Sequence, residues 1–199
     1  MPYKEILSAI AIIITFIAFL PYIISILKGK TKPHVFSWLI WGITTFIVFL
    51  AQLEANGGVG AWPIGVSGVI TLFIALLAFI KKADIKITRM DWVFFVSAIS
   101  SLPFWFYTSN PLWAVIILTT VDISGFAPTV RKTYNDPYSE SLLFFMLFAI
   151  RNILVITALE TLSVTTTLFP AVIALACFSL IIMILYRRLE IKNANKGIE

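Results

Sequence analysis

Phe19-Leu20-Pro21 returns as Phe126-Ala127-Pro128, 107 residues further along the chain, and Trp62-Pro63 returns as Phe169-Pro170 at the same offset. Pro21 to Pro63 and Pro128 to Pro170 are both 42 residues, so the two copies align without a gap. Each copy reads as three hydrophobic spans, and one further span, Trp92 to Tyr107, lies between them. An odd helix between two such copies lets both run the same way across a bilayer. The spacing predicts an all-α membrane protein of seven transmembrane helices, as two parallel three-helix repeats joined by a linker helix. Repeats of this kind put a binding site at their interface near mid-membrane, as in transporters. The chain divides accordingly into 1–82 (first repeat), 83–110 (linker helix), 111–188 (second repeat) and 189–199 (polar tail).

Composition points the same way. The chain is 60% hydrophobic and only 13% charged, with a mean hydropathy of +0.98. So few charges do not cover a soluble domain of 199 residues. Seven apolar runs approach or exceed the length that crosses about 30 Å of hydrocarbon at about 1.5 Å per residue. They are Ile6–Leu27, Val35–Leu53, Trp62–Ile80, Trp92–Tyr107, Leu112–Val130, Leu142–Leu159 and Leu168–Tyr186, the fourth being the shortest. Backbone groups in lipid must pair within their own segment, so these runs are helices. The first run is long enough to span, and no small-residue site interrupts it as a cleaved leader would require.

Basic residues orient the helices. Lys28, Lys30, Lys32, Lys81, Lys82, Lys86, Arg89, Arg131, Lys132, Arg187, Arg188, Lys192 and Lys196 all fall on one side if there are seven spans, and the other side keeps Lys4. Lys and Arg are retained on the cytoplasmic side. The expected protein is integral to the cell membrane, with its N-terminus outside and its C-terminus in the cytoplasm. The net charge of +5 then reflects this bias, helped by anionic membrane lipid, and asks for no nucleic-acid partner. Trp62, Trp105, Trp113 and Trp92 fall near span ends, where aromatic rings favour the interface. His34 reads as a solvated loop histidine and Cys177 as a small packing residue. No Cys/His cluster suggests a metal, and no cofactor is expected.

Pro21 and Pro128 lie about two turns before the cytoplasmic ends of spans one and five. A proline inside a helix removes a backbone bond, so recurrence at one depth suggests a hinge; a packing notch is the alternative. Pro63 and Pro170 read as first-turn prolines of spans three and seven.

Phe19-Leu20-Pro21-Tyr22-Ile23, then Lys28-Gly29-Lys30-Thr31, then Ser37-Trp38, resembles the PQ-loop motif of the MtN3/SWEET transporter superfamily. The second copy, Ala127-Pro128-Thr129-Val130-Arg131-Lys132, is looser. Tyr22 and Thr129 stand where that motif has glutamine, and the third-helix asparagines of sugar-transporting relatives are absent. The resemblance covers nearly the whole chain. It implies the 3+1+3 fold, an outside N-terminus and transport.

Polar residues inside the spans point to a site. Asp122 is the only acid deep in a span and Arg151 the only base, and both fall near mid-bilayer. A charge there costs about 2.5–3.5 kcal/mol on insertion scales, and such residues pair or face a cavity. Two readings stay open: Asp122 and Arg151 pair with each other and fix spans five and six, or they face the central cavity and meet a substrate or a proton. Asn152 is adjacent. Thr15 matches Asp122 by repeat, and Thr44 and Thr45 match Arg151 and Asn152, so one half holds neutral hydroxyls where the other holds charges. Trp41, one turn into span two, stacks on a ligand or packs. Ser67 and Thr71, four apart, share a face of span three; they contact substrate or pack helices.

These residues predict a transporter or facilitator of a small polar solute, a sugar or another small metabolite, working by alternating access. The alternative is a non-transporting membrane receptor or scaffold with the same fold. No nucleotide-binding loop is present, and Asp122 has no second acid or nucleophile beside it, so the protein is not expected to be an enzyme. Homo-oligomerisation is left open.

Overall fold

In a computed structural model the protein is all-helical, with no strand among the described residues, 2–31, 33–82, 87–138 and 140–196. Seven α-helices run in order: α1 Pro2–Leu27, α2 Val35–Glu54, α3 Trp62–Ile80, α4 Arg89–Thr108, α5 Pro111–Asn135, α6 Leu142–Ala158 and α7 Val164–Lys196. A 3-10 turn, Gly58–Ala61, precedes α3. Lys32 and Lys86 of the basic pattern lie outside the described residues, as do the side chains of Pro128, Lys132 and Lys196.

Local chemistry sets the helix ends. Gly29, at φ +70°, ends α1 in the left-handed conformation that glycine adopts without strain. His34 caps α2, its ring nitrogen accepting from Ser37 N at 3.3 Å. Thr88 and Asp91 form a reciprocal capping box at the start of α4, and the Ser141 hydroxyl caps α6. His34 is therefore a capping residue with its side chain 23% exposed, 4.0 Å from Asp91. It is not the freely solvated histidine the loop composition suggested.

Among the described residues five helices are long and apolar enough to cross a membrane, α1, α2, α3 with its leading 3-10 turn, α5 and α7, and they mark an integral membrane protein. Two of the seven expected spans fall short of that standard. The 17 residues of α6 reach about 25 Å at the usual helical rise. α4 is 20 residues long, but its first turn holds Arg89 and Asp91, and Ser97, Ser100, Ser101 and Pro103 dilute the rest. Two further expectations are corrected. α7 begins at Val164, because Ser163 and Thr166 bond reciprocally ahead of it (Ser163 N to Thr166 Oγ1 2.9 Å, Thr166 N to Ser163 Oγ 3.3 Å). Pro170 is thus inside the helix and not in its first turn, whereas Pro63 does sit in the first turn of α3. The polar segment after residue 188 continues α7 as helix to Lys196.

The surface is apolar and the interior partly polar. α1 exposes Ile6, Ile10, Ile13, Ile17, Leu20 and Ile24 along one stripe. It turns Ser8, Ala11, Thr15 and Ala18 inward. Small inward residues let helices approach closely where lipid removes the hydrophobic drive between them.

α3 packs on both α1 and α2, and α7 packs on both α5 and α6. α1 packs across on α6, and α2 on α5. Exchanging α1, α2 and α3 for α5, α6 and α7 returns the same main pairs. α4 stands outside this scheme, against α5 and α2.

Candidate functional site

Two places where helices of the first and second halves meet carry the deep polar residues. At the first, Thr44 Oγ1 donates to Asp122 Oδ1 at 2.7 Å and lies 3.0 Å from the carbonyl of Trp41. Thr44 is fully buried and Asp122 is 6% exposed. One turn along α5 is Gly125, where an added Cβ would stand 2.7 Å from Trp41 Nε1. The glycine therefore lets the Trp41 indole lie against the α5 backbone.

On α6, Arg151 is 2% exposed and Asn152 fully buried. Arg151 donates to Asn152 Oδ1 at 3.1 Å and to Ser67 Oγ of α3 at 2.8 Å. α3 and α6 are not a main packing pair, so this side chain crosses between the copies to reach Ser67. Its guanidinium also lies over the Phe148 ring, 4.9 Å from the centroid. Its Nε has no acceptor.

Asp122 and Arg151 do not pair. Neither makes an ion pair among the described residues. The reason is the order of helices within a copy: α7 packs on both α5 and α6, which are not a main pair themselves. Of the two readings the sequence left open, mutual pairing is overturned.

Other expected site residues divide. Ser67, Thr44, Asn152 and Trp41 join the two polar contacts. Thr45 is buried beside Thr44. Thr71 is buried, but its hydroxyl bonds the Ser67 carbonyl of its own helix at 2.8 Å, a packing arrangement. Thr15, the repeat counterpart of Asp122, bonds back to the Ala11 carbonyl at 2.8 Å. Pro21 is exposed within a continuous α1. α5 is likewise continuous through position 128.

Further contacts between the two halves lie toward either end of the bundle. Toward the basic end, Phe19 of α1 meets Phe144 and Phe148 of α6 edge-on, at centroid distances of 6.2 and 5.3 Å. Trp38 joins the same cluster, stacked on Tyr22 at 4.9 Å and edge-on to Trp41 at 5.8 Å. At the opposite end, Gln52 Nε2 donates to the Thr166 carbonyl at 2.7 Å, and Lys4 Nζ to the Leu159 carbonyl at 2.6 Å. Glu160 N donates to the Gly57 carbonyl at 3.0 Å. Gly60 presses so closely on the Leu159 backbone that no Cβ fits. Each of these bonds joins one copy to the other.

Sequence reasoning missed Gln52, Gly125 and Phe148. Gln52 was legible as a lone amide in an apolar run, and Phe148 as the repeat counterpart of Trp41. Gly125 carried no local signal, because its role depends on a ring from another helix.

Compared with protein-family models, with curated proteins and with solved structures, the chain finds no match.

Proposed function

We propose that this protein is a seven-span transporter of the PQ-loop/MtN3-SWEET type that moves a small polar solute by alternating access. The N-terminus faces outward and the C-terminus lies in the cytoplasm of the cell in whose membrane it sits. In this reading α6 and α4 complete the seven spans despite their shorter or more polar sequences, and α4 is the linker. The observation that carries the reading is the buried Arg151, which crosses between the copies at mid-helix and meets only neutral acceptors. A site needs unspent hydrogen-bonding capacity of this kind, and a purely structural bundle does not. The contacts toward the two ends support it further: aromatic rings join the halves at one, backbone and amide hydrogen bonds at the other, so each can open while the other holds. The apolar groove of about 600 Å³ lined by Phe16, Leu20, Val69 and Phe73 suits lipid chains.

Accessibility tests this reading. With Cys177→Ala as background, Ser67→Cys in sealed vesicles should be labelled by a membrane-impermeant maleimide from either side, and solute should change the balance. Labelling from one side only, unchanged by any solute, would favour the receptor or scaffold reading.

A further inference from the structure

Among the described residues Arg151 is the only buried base. A guanidinium has five N–H donors. Here one goes to the Asn152 amide oxygen, one to the Ser67 hydroxyl, and Nε reaches no acceptor. A buried cation without a partner is costly in a bilayer. The fold itself does not require one at this place. At the matching position of the first half Thr44 carries a neutral hydroxyl, which bonds Asp122 of α5. The charge is thus extra to the packing, and Asp122, held by Thr44 at the other contact, does not neutralise it.

Resting on the transport reading, the geometry points to a solute that bears a carboxylate, which docks on Arg151. A planar guanidinium fork matches a planar carboxylate in shape and charge. A phosphate monoester carries nearly two charges at neutral pH, and one arginine balances only one. Two kinds of solute share this chemistry. A plain carboxylate needs Arg151 alone. An amino acid adds an ammonium, for which Asp122 offers the second carboxylate oxygen, left without a hydrogen bond by Thr44.

The test uses the full chain in detergent and follows tryptophan fluorescence, since Trp38 and Trp41 belong to the ring cluster beside Arg151. Two matched pairs are titrated: L-lactate against lactamide, and L-alanine against alaninamide. Each amide keeps the size of its acid and removes the carboxylate charge. At least one acid should bind about tenfold more tightly than its amide, as expected for a charge-assisted fork. Lactate alone showing the preference assigns a plain carboxylate, and alanine alone a zwitterion. Arg151→Gln should bring acid and amide together, and Arg151→Lys, which keeps charge but not the fork, should fall between. If Arg151→Gln does not fold, the Arg151→Lys titration decides. Acids and amides binding alike, or a preference that survives loss of the guanidinium, would overturn the proposal. Flux in liposomes separates the two readings. Acid binding without flux rejects transport and keeps the carboxylate site, whereas flux of neutral solutes with no acid preference rejects the carboxylate and keeps transport.

Discussion

Asp122 accepts a buried hydrogen bond from Thr44, while Arg151 bonds Asn152 and Ser67. The two charges share no partner, so their substitutions should act independently. In thermal unfolding, Asp122→Asn and Arg151→Gln should combine with a coupling below about 0.5 kcal/mol, the range for sites without common contacts. A double mutant that recovers stability lost in the singles would mean that the charges do meet. Thr44→Val should cost about 1–3 kcal/mol by stranding the carboxylate, and Thr44→Ser should keep most of that stability. Much of this was legible in the sequence. Two charges in an otherwise apolar chain stand out by composition, and residue spacing gives their depth. Their partners were not legible, because spacing along a helix does not say which neighbour its face meets.

At the level of helices, close approach and continuity matter most. Gly125 holds α5 against the Trp41 ring of α2. Gly125→Ala should lower stability by about 1–3 kcal/mol through overpacking. Adding Trp41→Leu should relieve that loss, and melting curves of the single and double variants check it. Failure to relieve would place the strain elsewhere. Pro21 interrupts neither α1 nor its exposure, so the hinge reading depends on movement. Pro21→Ala with Pro128→Ala should leave the fold intact and slow solute exchange in liposomes. Unchanged exchange in a folded double variant would make both prolines packing features. The start of α3 was readable from Trp62-Pro63. The start of α7 was not, because the Ser163–Thr166 cap lies in a polar stretch that resembles a loop until the reciprocal bonds are seen.

Across the whole molecule, Phe19-Leu20-Pro21 and Phe126-Ala127-Pro128 stand at a fixed offset in the sequence, and α3 packs on α1 and α2 as α7 packs on α5 and α6. The buried charges Asp122 and Arg151 both lie in the second half, where the matching positions of the first half hold Thr15 and Thr44. The basic residues bear on orientation. A reporter fused after Glu199 should read cytoplasmic, and one before Met1 external. Both termini on the same side would remove α4 or α6 as a span and, with it, the parallel relation of the copies.

Transport itself is tested most directly by solute movement across a membrane. Purified protein reconstituted in liposomes should release preloaded small polar solutes, carboxylates and sugars among them, faster than empty liposomes do. External unlabelled solute should accelerate exit of the labelled form, as a carrier requires. Arg151→Gln in a folded protein should abolish both effects. Release no faster than from empty liposomes, for every solute tried with folded and correctly inserted protein, would contradict transport and leave a membrane receptor or scaffold.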